Sequence, residues 1–194
     1  MKRCAVFLDR DGVIVEQNGY LNRADDLRLV PGAAEAIARL NTAKIPVIVV
    51  TNQGGVAMGH LTIADLEKIH ARMQRELAAH NAHLDAIYYC PHHPKAFAAE
   101  TGTDPLRDCS WRKPGIGMLE RARDEHGIDL TCSYLVGDST GDILAGQRAG
   151  CRTVLVATGF GGSDRLYAVE PDLSAADLSE AIDQILAEAG WENC

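Results

Sequence analysis

Two aspartates one residue apart, Asp9 and Asp11, follow directly on the apolar run Ala5-Val6-Phe7-Leu8 and precede Gly12. Carboxylates this close repel, and one keeps its proton unless a cation lies between them. An all-carboxylate set favours a hard divalent cation, Mg²⁺ first among them. A carboxylate can also attack phosphorus, splitting hydrolysis into two easier displacements, while a neighbour moves the proton. Three further clusters carry groups suited to such chemistry: Thr51-Asn52-Gln53, Arg112-Lys113-Pro114, and Gly137-Asp138 with Asp142. Taken singly, Asp138 reads as a helix cap and Thr51-Asn52 as a turn. Lys113 and Asp142 alone would read as a surface pair worth under about 1 kcal/mol. All four clusters in this order, each at or beside a buried strand, are hard to explain as punctuation.

The elements that must position them follow from the apolar pattern. Short apolar runs bounded by turn residues predict buried strands at Ala5–Leu8, Pro46–Val50, Ala86–Tyr89, Tyr134–Val136 and Thr153–Val156. Helical spacing predicts helices over 32–43, 62–80, 117–126, from after Asp142 to Ala149, and over 174–189. Thr62 with Asp65 has the form of a capping box, and Gly127 and Gly150 close two of the helices. Residues 13–29 read as a turn or small β-flap, and 90–114 as an irregular loop of the length that tends to be functional. The alternation of strands and helices predicts an α/β fold with a mostly parallel sheet, in which ligands bind beyond the carboxyl ends of the strands.

The 194 residues fit one domain, 1–194, and 46% hydrophobic with 24% charged residues is ordinary for a globular protein. A net charge of -8 argues against nucleic acid or a membrane surface as partner. No apolar run approaches the roughly 18–20 residues that span a bilayer. Met1-Lys2-Arg3-Cys4 starts like a signal peptide, but the apolar run stops at Asp9 and the segment reads as mature protein. A cytoplasmic monomer is expected, with its cysteines reduced and Cys4, Cys132, Cys151 and Cys194 acting as small hydrophobes or surface residues.

Asp9-Arg10-Asp11-Gly12-Val13 resembles the first motif of the haloacid dehalogenase-like phosphatases, and Thr51, Lys113 and Gly137-Asp138 with Asp142 resemble the other three. More narrowly, Thr51-Asn52-Gln53, Cys90-Pro91-His92-His93-Pro94 and Arg112-Lys113-Pro114 resemble the D-glycero-D-manno-heptose 1,7-bisphosphate 7-phosphatases, with histidinol-phosphate phosphatases as close relatives. The resemblance implies a Rossmann-like three-layer sandwich with a minimal cap, formed by the flap and the cysteine loop. It makes Asp9 the nucleophile and Asp11 the general acid and base. Mg²⁺ would be held by Asp9, the Asp11 carbonyl and Asp138. Thr51 and the Asn52 amide would grip phosphate oxygens, Lys113 would bridge nucleophile and phosphate, and Asp142 would order the loop and Lys113. Substrate contacts would come from Gln17, Gly19, Tyr20, Thr51, Asn52, Gln53, Arg112 and Lys113. Ser139 stands where the heptose enzymes often carry a lysine.

The same resemblance implies a structural Zn²⁺ bound by Cys90, His92 and Cys109. Trp111 occupies the fourth ligand position, which leaves His93, Asp108 or water to close the tetrahedron. The alternative is a metal-free loop with two thiols and a histidine pair. The implied activity is Mg²⁺-dependent hydrolysis of a phosphorylated sugar, the 7-phosphate of a heptose bisphosphate. Hydrolysis of histidinol phosphate and a non-catalytic phosphometabolite-binding module are the rival readings. A phosphotransferase would share the covalent intermediate.

Overall fold

Alternation of side chains along three buried residues sets the core. The structure, a computed structural model, describes residues 3–17, 19, 21–94 and 109–188. Strand β1 (Val6–Leu8) sends Val6 and Leu8 to one face of the sheet and Phe7 to the other. On the first face lie α1 (Ala33–Thr42), α2 (Ile63–Ala79) and α5 (Leu178–Ala187). On the second, α3 (Gly117–His126) and Ala145 of α4 (Thr140–Ala149) pack around Phe7, Ile48, Val50 and Leu135. The result is the three-layer α/β arrangement expected.

The remaining strands are β2 (Val47–Asn52), β3 (Ala86–Cys90), β4 (Tyr134–Gly137), β5 (Arg152–Val156) and β6 (Leu173–Ala175). Their order is β3-β2-β1-β4-β5-β6, and every pair is parallel. Leu8 lies opposite both Val49 and Val136. The chain leaves β1 toward β2 and later returns to its other side as β4, so the strand order reverses at β1. A crevice opens at such a switch point. No helix among the described residues is long and apolar enough to cross a membrane.

Three details differ from the sequence reading. The expected C-terminal helix does not begin at Ser174, because Leu173–Ala175 pairs with Val154–Val156 as a short edge strand. Asp177 then starts α5 by accepting a hydrogen bond from the Glu180 amide. The flap over 13–29 is a turn with isolated bridges, Asp11 to Val15 and Val15 to Leu29, and a 3₁₀ turn at Ala24–Asp26. Cys4 and Cys132 are joined in a disulfide rather than standing as separate thiols. They precede β1 and β4, and the adjacency of those strands brings together residues 128 apart in sequence. Cys151 is the buried small side chain expected, and Cys194 lies outside the described residues.

The capping box of α2 is complete, with Thr62 Oγ1 accepting from the Asp65 amide and Asp65 accepting from the Thr62 amide. Thr62→Ala is expected to lower stability by about 1 kcal/mol, read as a shifted urea midpoint at unchanged m-value.

Candidate active site

Beyond β1 the backbone turns sharply, with the Gly12 amide donating to the Val15 carbonyl. Gly12 (φ +80°) and Gly159 (φ +62°) close on the Asp138 carboxylate from two sides. A Cβ on either would lie 2.2 or 2.1 Å from Asp138 Oδ2, so only glycine admits the carboxylate there. The Phe160 amide donates to the same oxygen at 2.7 Å. Asp138 is not the cap of α4. That cap is Ser139, whose hydroxyl accepts from the Asp142 amide while Asp142 Oδ2 accepts from the Ser139 amide and hydroxyl. The residue standing where a lysine is often found thus has a structural duty of its own.

Lys113 enters from the loop before α3, and its peptide bond to Pro114 is cis. The Asn52 side chain holds it at the backbone from both directions, donating to the Lys113 carbonyl and accepting from the Lys113 amide, each at 3.0 Å. The ammonium then sits 3.0 Å from Asp9 Oδ1 and 2.5 Å from Asp142 Oδ1. Burial would pull its pKa down, but Asp142 and Asp9 outweigh this and hold it above the ordinary lysine range.

Asp9, Asp138 and Asp142 offer oxygens within 4.8 Å of one another. Three carboxylates around one ammonium leave two negative charges, the deficit that one divalent cation fills. Both Asp142 oxygens are already engaged, by Lys113 and by Ser139. Asp9 and Asp138 remain as the side chains that could hold the metal. Burial lifts the Asp9 pKa to about 6 against the pull of Lys113, with Asp142 and Asp11 pushing it further up. Burial and then the Asp9 charge lift Asp138 to about 8. The donor set therefore fits Mg²⁺.

Asp11 lines the same cavity as Asp9 but has partners of its own. Both its oxygens accept from Arg10, at 2.7–2.9 Å, and Oδ2 also accepts from Gln53 Nε2 at 2.9 Å. The same Gln53 amide donates to the buried Thr51 hydroxyl. Arg10, 1% exposed, and the buried His70 that it touches were not singled out from the sequence. An arginine between two aspartates reads as solvated charge, and no local pattern joins it to a residue 60 positions away. The available signal was its place directly after a buried strand.

Asp11, Gln17, Asn52, His93, Arg112 and Phe160 line two adjoining cavities, of about 400 and about 520 Å³. Gly19 lines the first, while Asp9, Lys113 and Asp138 line the second. Gln17 Oε1 is a buried acceptor with no partner among the described residues. Arg112 donates to the His92 carbonyl at 2.8 Å. Tyr20 lies outside the described residues.

In the cysteine loop, Cys109 Sγ lies 3.5 Å from Cys90 Sγ and 3.1 Å from His92 Nδ1. Two sulfurs on a tetrahedral zinc sit roughly 3.8 Å apart, so the three donors form a credible face for the ion. Burial pushes the Cys90 thiol up to about 11, so binding must displace its proton. Trp111 is 37% exposed and edge-on to Tyr88, and an indole has no lone pair to offer. His93 does not join the three-donor group, and Asp108 lies outside the described residues.

A doubly wound parallel sheet with this carboxylate–lysine cluster at its switch point defines a hydrolase class, and the comparisons name it. Residues 6–109 match the profile of the haloacid dehalogenase-like hydrolases, and 110–181 match a second, HAD-hydrolase-like profile. The chain belongs to the haloacid dehalogenase-like hydrolase family. It is 42% identical over 192 residues to the D-glycero-D-manno-heptose-1,7-bisphosphate 7-phosphatase of Thermosynechococcus vestitus, covering 95% of this chain and 96% of that one. The D-glycero-beta-D-manno-heptose-1,7-bisphosphate 7-phosphatase of Escherichia coli K12 is 42% identical over 156 residues, 80% of each chain. Among solved structures, the D,D-heptose 1,7-bisphosphate phosphatase of B. bronchiseptica, complexed with magnesium and phosphate, is similar with a TM-score of 0.84 at 35% identity, covering 97% of this chain and 100% of that one.

With both pKa values raised, the folded metal-free protein holds protons that the unfolded chain has released. Its stability therefore falls as pH rises from about 4 toward 8. A bound cation relieves that penalty. Added Mg²⁺ should raise the melting temperature more near pH 8 than near pH 6 in paired thermal unfolding scans.

Proposed function

We propose that this chain is a Mg²⁺-dependent phosphatase that removes the 7-phosphate of D-glycero-D-manno-heptose 1,7-bisphosphate through a phosphorylated Asp9. The observation that carries the chemistry is the placement of Asp9 against Lys113, with Asp138 beside it and Asp11 two residues on. The substrate is supported by the relatives' names and by cavities of a size that holds a small ligand.

Asp9 attacks phosphorus, and the bond from phosphorus to the C7 oxygen breaks. Asp11, which gives up one of its hydrogen bonds from Arg10 or Gln53 to carry a proton, delivers it to that oxygen, so the sugar leaves as an alcohol. Water then attacks the phosphoryl group on Asp9, Asp11 takes its proton, and phosphate departs with Asp9 restored. The Thr51 hydroxyl and the Lys113 ammonium steady the non-bridging oxygens of the phosphoryl group in flight. Asp9, the Asp11 carbonyl and Asp138 would hold Mg²⁺, which would supply the charge neutralisation that lets an anion approach an anion. Arg112 and the orphan Gln17 acceptor meet the rest of the substrate, the first suited to the second phosphate and the second to a hydroxyl. Gly19, Asn52 and Gln53, with Tyr20, complete the recognition surface.

Zn²⁺ on Cys90, His92 and Cys109, with water or Asp108 as fourth ligand, would brace the loop that carries Arg112 and Lys113. The Arg112 bond to the His92 carbonyl supports that role. Zinc content measured on protein purified without chelator should approach one ion per chain and fall sharply in Cys90→Ser. The two profile matches meet within one six-stranded sheet, which supports 1–194 as a single domain. A phosphorylated sugar substrate accords with a cytoplasmic enzyme.

Phosphate release should follow Mg²⁺ addition, with kcat/KM for the heptose bisphosphate exceeding that for histidinol phosphate by more than about tenfold, a difference of about 1.4 kcal/mol at the transition state. Asp9→Asn should reduce release to background while keeping a cooperative unfolding transition. Release that survives this substitution would contradict the covalent route, and no release from any phosphomonoester would favour a binding module.

A further inference from the structure

The proton carrier of the proposed reaction is held by a residue that the sequence pattern does not mark. Arg10 lies flat between two partners. Its Nε and Nη2 donate to Asp11 Oδ1 at 2.9 and 2.8 Å, and Nη2 also reaches Asp11 Oδ2 at 2.7 Å. Its remaining nitrogen, Nη1, lies 3.3 Å from Nε2 of His70, a residue of α2 60 positions away. A guanidinium has donors and no acceptor, so His70 Nε2 must be the acceptor and the ring is neutral with its proton on Nδ1. Burial, then the adjacent Arg10 charge, lowers the His70 pKa to about 4, which agrees with that tautomer. The ring is 7% exposed and packs at a tilt on Tyr89, 5.6 Å between centroids, so the acceptor is fixed in place.

We propose that His70 is a positioning residue for the phosphatase reaction, setting the orientation of Asp11 through the Arg10 guanidinium. The inference rests on the reading of Asp11 as general acid. His70 does not line the two cavities, whereas Asp11 lines both. The Arg10 plane is pinned at one end by the imidazole, and Asp11 is pinned by that plane and by Gln53. Without the acceptor on α2, Arg10 keeps its charge but loses the contact that fixes its rotation, and Asp11 turns with it. A general acid that is out of line penalises leaving groups in proportion to their demand for a proton. An alkoxide demands one, and a nitrophenolate hardly does.

The test compares kcat/KM, which reports the steps through transfer to Asp9, for the heptose bisphosphate and for p-nitrophenyl phosphate at fixed Mg²⁺. Asp11→Asn sets the scale, with a large loss on the sugar phosphate and a smaller one on the aryl ester. His70→Leu should lose about tenfold or more on the sugar phosphate and stay within about threefold on the aryl ester, which also shows that it folds. His70→Gln, whose amide oxygen can accept from Arg10, should stay within about threefold on both. Should His70→Leu fail to fold, His70→Met carries the same expectation. Equal losses on both esters, no loss on either, or a His70→Gln as impaired as His70→Leu would overturn the positioning role. Equal losses in Asp11→Asn would overturn the reading of Asp11 and this inference together.

Discussion

Two surplus negative charges buried at the switch point of the sheet are the constraint on which the rest of the site depends. Asp9, Asp138 and Asp142 converge where, among the described residues, Lys113 is the one cation ion-paired with them. Burial strengthens every interaction among them, the repulsive ones included. Lys113 lies against both Asp142 and Asp9, and Asp142 is fully used by Lys113 and Ser139. What is left over, Asp9 and Asp138, is a divalent site with a nucleophile on one side. The pKa values of the two, raised to about 6 and about 8, express the same imbalance as a demand for protons.

The fold supplies this arrangement through backbone as much as through side chains. Asn52 gives its side-chain amide to the Lys113 backbone, so the end of β2 sets where a loop lysine enters. Gly12 and Gly159 bring two turns so close to Asp138 that a methyl group on either would displace its carboxylate. Arg10 and Gln53 give Asp11 partners outside that cluster while it still lines the same cavity. Two adjacent aspartates, which simple electrostatics would set against each other, are thereby given separate partners and separate tasks.

Much of this was legible in the sequence because strands and chemistry coincide. Apolar runs located β1 to β5, and polar residues after or ending three of them, Asp9, Asp11, Thr51, Asn52 and Asp138, gather at one edge. Local rules worked where the partner is local, as with Thr62 and Asp65, and misled where two candidates compete, as with Asp138 and the true cap Ser139. Long-range pairings left no trace. His70 looks like an ordinary position on an amphipathic helix, and nothing near Cys4 points to Cys132. The edge strand β6, Leu-Ser-Ala, carries no continuous apolar run to mark it. Gln53 lines a cavity as a substrate contact would, and its amide also reaches Asp11 and Thr51, a pairing that no local pattern shows.

The division of labour among the carboxylates is the central claim, and a crystal structure of the protein grown with Mg²⁺ tests it most directly. The account predicts an ion about 2.0–2.1 Å from one oxygen each of Asp9 and Asp138 and from the Asp11 carbonyl, with Asp142 still paired to Lys113. An ion ligated by Asp142, with Lys113 displaced from it, would contradict the account.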